Sequence, residues 1–240
     1  NRPPVKVKPD PRIVPAVALI TLCRRHGMDN PICPEKSYEQ WIIGEWGKIV
    51  PEVYYRGYWF NLADPGLPFF MISRIHKEVP LGKKLGIVGW RTETPPEWAG
   101  SCPSRYIACR LMWDHTADVD ALMQDFYQKF FGPAASPMQR YIEMMDRAVY
   151  EADYHTGCSW DTGLVYPAGL RAAARKALDE AAGLAPAGLY AKRVRMYTRS
   201  LDYLDAFVAM MEGRTVHDYA AAKKTLDALD AIREELWAHD

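Results

Sequence analysis

The sequence predicts an α/β region followed by an all-helical one, and three observations carry that expectation. Runs with strand character begin near residues 13, 53 and 85, each followed by a loop and a segment with helical spacing. From residue 116 onward the apolar positions recur only in threes and fours. Aromatics and prolines crowd before residue 170, whereas the remaining stretch is rich in Ala, Leu, Lys, Arg and Asp.

The opening NRPPVKVKPDP is proline-rich, with room for a short strand at 5–8. Residues 13–22, IVPAVALITL, form a continuous apolar run whose β-branched content predicts a buried strand, with Pro15 near its start. After the polar loop CRRHGMDNPICPEK, Ser37 and Gln40 have capping-box spacing and predict a helix whose apolar face is Trp41, Ile42, Trp46 and Ile49. Residues 53–60, VYYRGYWF, predict a second strand, and NLADPG is turn chemistry. Beyond Pro68, the spacing of Phe69, Ile72, Ile75 and Val79 predicts a helix ended by Gly82. The third strand is expected at 85–89 within LGIVGWRTETPPEW, delivering Trp90, Arg91 and Glu93 onto a proline-stiffened loop. Residues 104–113 predict a further helix.

In the second half, Val119, Leu122, Met123, Phe126 and Phe130 form one stripe, broken at Gly132-Pro133. Ser136-Pro137 reads as N-cap and first residue of the next helix, and Pro167 and Pro186 open two more. An irregular aromatic loop is expected at 154–166. The seams Val194, Tyr197, Leu201, Leu204, Val208, Met211 and Tyr219, Ala222, Leu226, Leu229, Ile232, Leu236 predict near-antiparallel packing in a bundle of four or five helices.

Alternating strands and helices imply parallel strands joined by right-handed crossovers. Three such units are too few to close an eight-stranded barrel, which takes about 250 residues by itself. A bare three-stranded sheet would leave apolar faces and edges in water. The expectation is that residues 1–115 are the C-terminal part of a (β/α)₈ TIM barrel and 116–240 a helical bundle. The remaining strands would come from a preceding region or from a second chain, a homo-oligomer included.

Thirty Lys plus Arg balance thirty Asp plus Glu, so no overall charge draws the chain to nucleic acid or to an anionic membrane. No apolar run reaches the length of about 18 residues that a spanning helix needs. The five cysteines follow no CxxC pattern, and an odd number leaves at least one unpaired within the chain. Beginning at Asn1 leaves room for a removed leader, and an extracellular or periplasmic location is the expectation.

Across 106–141 the chain carries Tyr106, the run Arg110-Leu111-Met112-Trp113-Asp114, Asp118-Val119-Asp120 opening a helix, Phe126, Phe131-Gly132-Pro133-Ala134-Ala135 and Tyr141. With the upstream order of Cys23, His26 and Cys33, then Trp46, an aromatic strand and a glycine-rich strand ending at Trp90, it resembles a bacterial family of uncharacterised proteins related to α-glucuronidases. The resemblance implies the last units of a (β/α)₈ barrel, a helical domain and a glycoside-hydrolase ancestry. The general acid of α-glucuronidases lies on an earlier strand than any here, so that residue is not carried over.

Glycoside hydrolysis needs two carboxyl groups, which in a barrel lie past the C-terminal ends of strands. Glu93 meets that demand, with a solvated loop glutamate as the plainer alternative. Asp64 is the second candidate, although Asp-Pro-Gly turn chemistry explains it as well. Glu97 is weaker, and Glu52 precedes its strand. Saccharide sites use flat aromatic platforms, for which Tyr58, Trp59, Trp90 and Trp98 are placed, while core packing better suits Tyr54 and Tyr55. Arg24, Arg25 and His26 follow the first strand and so share a face with Arg91, where an arginine fork would grip a uronic-acid carboxylate. The competing role is an ion pair with Asp29, Glu35 or Glu93 that shapes the loop.

Cys23, His26 and Cys33 invite a metal, but zinc wants four ligands and no second Cys/His pair lies nearby in sequence. A disulfide or two free thiols is expected there, with no metal and no cofactor. The function expected is therefore a glycoside hydrolase acting on a poly- or oligosaccharide that includes uronic acid. The alternatives are a carbohydrate-binding and assembly module without catalysis, and a uronate lyase using a Tyr or His base.

Overall fold

The computed structural model describes residues 2–62, 64–93, 98–155 and 159–237. Three parallel strands alternate with helices: β1 (Ala16–Val17), α1 (Pro34–Gly47), β2 (Val53–Gly57), α2 (Ile72–Lys84), β3 (Ile87–Thr92) and α3 (Cys102–Trp113). A helical region follows: α4 (Val119–Phe131), α5 (Ala135–Tyr150), the short α6 (Thr162–Val165), α7 (Ala168–Leu184), α8 (Leu189–Thr215) and α9 (Tyr219–Trp237). The sheet order is β1-β2-β3, both pairs parallel.

The two faces of this sheet differ sharply. Side chains alternate along a strand, and register partners in neighbouring strands share a face. Val17, Tyr55 and Trp90 are partners, as are Val53 and Ile87, and this set is turned toward the helices. There it meets Ile42 and Ile43 of α1, while the Trp90 ring presses on Gly82 of α2, where an added Cβ would come within 2.5 Å of the indole. The opposite face carries Ala16, Tyr54, Arg56 and Arg91, joined in register. Tyr54 is exposed and lies over Gly89, whose missing side chain makes room for the ring. Among the described residues, no helix covers this second face.

A larger core fills the helical region and runs without a break into α2 and α3, joining Phe69, Phe70 and Ile75 to Tyr141, Tyr197 and Leu204. Helices α8 and α9 pack antiparallel: Gly213 meets Ala222 near the turn, Tyr203 meets Arg233 midway, and Arg195 meets Glu235 further along. Of the α9 seam, Leu229, Ile232 and Leu236 are buried, whereas Tyr219 and Leu226 stay exposed. No helix among the described residues is long and apolar enough to cross a membrane.

Several expected boundaries move, each for a physical reason. No strand forms at 5–8, and the run 13–22 gives only two ladder residues because pairing, not apolarity, defines a strand, and β2 offers few partners. Helix α1 starts at Pro34, which has no N–H to lose in a first turn, so the Ser37–Gln40 box is bypassed. Gln40 instead donates to the Met28 carbonyl. Helix α2 continues past Gly82 to Lys84, and Gly86, at φ 96°, makes the exit turn. The third strand is therefore Ile87–Thr92, not 85–89, so Trp90 and Arg91 belong to the ladder instead of the loop. A 3-10 turn at Gly132–Ala134 leads directly into α5, which leaves Ser136 inside the helix instead of capping it.

Candidate functional site

The C-terminal ends of the three strands bring together residues from all three following segments. Arg56, in β2, forms an ion pair with Glu93 just past β3. The Arg56 guanidinium also lies 5.5 Å from the centre of the Tyr58 ring, and Arg24, from the loop after β1, lies 4.6 Å from it. Tyr58, just past β2, thus carries two cations, one from β2 and one from the loop after β1, through the attraction between a cation and a π face. Arg24 is buried, and burial, with the Arg74 cation beside it, lowers its pKa. The Nε groups of Arg24 and Arg56 are buried with no hydrogen-bond acceptor among the described residues. Arg91 is exposed on the same face.

Arg56 is the member of this array that sequence reasoning missed. The signal was present: in VYYRG the residues of one face are Tyr54 and Arg56, and a cation inside a strand must find an anion or water on that side.

Other candidates lie elsewhere. Arg25 turns away from Arg24 to the helical region, with its guanidinium 4.2 Å from the Tyr154 ring centre and 3.8 Å from the Asp161 carboxylate. Burial pushes the Asp161 carboxyl above its ordinary range, with Arg25 opposing it. Trp59 is buried and donates its indole N–H to Glu78 at 2.9 Å. Trp90 packs against Tyr55 and Trp59, with ring centres 5.1 and 5.6 Å apart, between the two apolar cores. Tyr54, expected in the core, is instead on the open face, while Tyr55 is buried as expected. Asp64 accepts from the Gly66 amide at 3.0 Å and the Tyr203 hydroxyl at 2.6 Å, with Arg233 at 3.9 Å, so it joins the β2 loop to the helices. Trp98, half exposed under Arg105, lines a separate cavity of about 700 Å³ with Phe130, Arg193, Arg195 and Glu235. Glu97 lies outside the described residues.

His26 is buried in a cluster with Cys23, Cys33 and His155. Cys23 Sγ lies 3.5 Å from His26 Nδ1, and Cys33 Sγ lies 3.6 Å from His155 Nδ1. His26 Nε2 faces the Ala152 carbonyl at 2.8 Å. Cys23 and Cys33 are free thiols, so of the two expected states the disulfide is not the one found. Burial raises the pKa of the Cys33 thiol, partly offset by the amides of Lys36 and Glu35 at the start of α1. The expectation of too few ligands rested on sequence neighbours, and His155 approaches from the far half of the chain.

The fold and these strand ends define a class: a parallel α/β sheet covered by helices on one face, with cations and aromatics at its C-terminal edge and a helical region behind. The chain belongs to the family described as Domain of unknown function (DUF4838), which matches residues 1–143. That match runs past α3, through α4 and into α5, and includes the stretch 106–141. No curated protein and no solved structure matches the chain.

Proposed function

We propose that this chain contributes closing units of a (β/α)₈ barrel to a carbohydrate-active enzyme, and that its strand ends hold an acidic sugar for glycoside hydrolysis. Two features support the barrel. The strands neighbour one another in chain order, without the reversal of a doubly wound sheet. Among the described residues, helices cover one face only, while exposed Tyr54 and Ala16 occupy the side that further strands would enclose. The relationship to α-glucuronidases is part of the same reading.

The observation that carries the function is the array Arg24–Tyr58–Arg56–Glu93, gathered from the ends of all three strands. Nε groups of Arg24 and Arg56 without an acceptor among the described residues, with exposed Arg91 on the same face as Arg56, suit a uronate carboxylate, because guanidinium forks bind carboxylates through charge-assisted hydrogen bonds. Glu93 would activate water or steady the cationic transition state. The proton for the leaving oxygen would come from a carboxyl group elsewhere in the barrel. The assignment is tested by assaying the full-length protein against chromogenic glycosides and glucuronoxylan fragments, beside Glu93→Gln. Loss of most turnover in the variant is expected; unchanged turnover removes Glu93 from the mechanism.

A second reading is a sugar-binding module without catalysis, favoured by the engagement of Asp64 with Tyr203 and Arg233, which takes the second candidate carboxylate out of the array. Calorimetric binding of uronate oligosaccharides with no product formed would select it.

A further inference from the structure

We propose that Cys23, His26, Cys33 and His155 bind one zinc ion, which staples the loop after β1 to the segment after α5. The four candidate ligand atoms all lie within 4.8 Å of one another. Around a tetrahedral zinc with ordinary Zn–S and Zn–N bonds, a sulfur and a nitrogen sit about 3.6 Å apart. The two thiol–imidazole pairs measure 3.5 and 3.6 Å, so two edges of that tetrahedron are already set. A modest contraction of the remaining edges completes it.

The surroundings suit a metal as well as the spacing does. A ligating histidine needs a bare nitrogen toward the ion, and a hydrogen bond from its other nitrogen fixes that tautomer. Donation from His26 Nε2 to the Ala152 carbonyl leaves Nδ1 as a lone pair facing Cys23. Cys33 is the N-cap residue of α1, which places it at the positive end of the helix dipole. Binding sends the two thiol protons to solvent, and two thiolates then cancel the charge of the ion in a site where three of the four ligands are buried. Two sulfurs and two nitrogens fill a tetrahedron, which makes the site structural, with no open position for catalysis.

The position explains what the staple does. Arg24 and Arg25 lie between the ligands Cys23 and His26, so an ion fixing both ligands also fixes where the two guanidinium groups diverge, one to Tyr58 and one to Asp161. The inference does not depend on the sugar-handling reading.

The test uses tag-free full chain, purified under reducing conditions, reconstituted with zinc and dialysed against a weak chelator before elemental analysis. One zinc per chain is expected in the wild type, with cobalt(II) in its place giving the visible bands of a tetrahedral thiolate site. His155→Ala, at the exposed ligand, should lose the metal while remaining folded by circular dichroism, and Cys33→Ser should lose it too. Removing zinc from the wild type with a strong chelator should lower Tm by more than about 5 °C. Less than a stoichiometric amount of zinc in the reduced wild type overturns the proposal, as does one equivalent retained by folded His155→Ala.

Discussion

Asp146, in the last turns of α5, accepts the backbone N–H groups of Ile72 at 2.6 Å and Ser73 at 3.1 Å, and so caps the start of α2 from 74 residues away. Residue Met71, at the cap position itself, offers no side-chain acceptor. The first amides of a helix have no partner within it, and burial makes leaving them bare costly. This carboxylate is one of the ties between the sheet-bearing part and the helical region.

Asp146→Ala should therefore lose about 2–3 kcal/mol of stability, a cap plus the exposure of buried amide donors. Asp146→Asn keeps one acceptor oxygen and should lose less. Urea unfolding of both variants decides it; equal midpoints for wild type and Asp146→Ala would mean that water replaces the cap at no cost.

A second prediction concerns pH. Glu78 is fully buried in α2 and accepts from Arg74 Nε at 2.7 Å and from the Trp59 indole at 2.9 Å. Burial pushes its carboxyl up, but the Arg74 and Lys36 cations and these hydrogen bonds outweigh burial and hold it below its ordinary value of 4.5. The unfolded chain then takes up a proton in a range where the folded chain does not. Stability from this group is complete above about pH 4.5 and is lost as pH falls through the depressed value. Glu78→Gln should cost about 3–5 kcal/mol at neutral pH, because it leaves the Arg74 charge buried without its partner. The same variant should show a shallower acid limb in a plot of unfolding free energy against pH. An acid limb unchanged from wild type would point to other carboxylates.

Asp64 gives the third. Burial and the Asp64 carboxylate both push the Tyr203 hydroxyl up, as expected for a phenol held as a donor to an anion. Asp64→Asn and Tyr203→Phe should each cost about 1–3 kcal/mol, and the double variant should cost less than their sum, because both remove one hydrogen bond. Neither should weaken uronate binding. A loss of sugar affinity in Asp64→Asn with stability intact would instead give Asp64 a role in holding the sugar.

How far the sequence went can be judged from particular positions. Its apolar periods located three strands and the long helices, because burial of one face sets the period whatever the partner is. The same logic marked Glu93 and Tyr58 as strand-end residues. It could not orient Trp90, because a strand shifted by a residue or two changes which side chains belong to the ladder, and only the pairing of Tyr55 with Trp90 fixes the face. Nor could it separate Arg24 from Arg25, adjacent in the chain yet held by Tyr58 and Asp161 on different parts of the molecule.

What the sequence determined alone is the class of the chain: strands alternating with helices, then helices only, with balanced charge. Periodicity and composition are local properties, and they survive without knowledge of contacts. The tertiary structure decided everything that depends on meeting at a distance. It set Arg56 against Glu93, closed Asp64 onto Tyr203, and brought His155 to Cys33 across 122 positions of chain. Such encounters follow from how the elements pack, and packing is a property of the whole chain instead of any window within it.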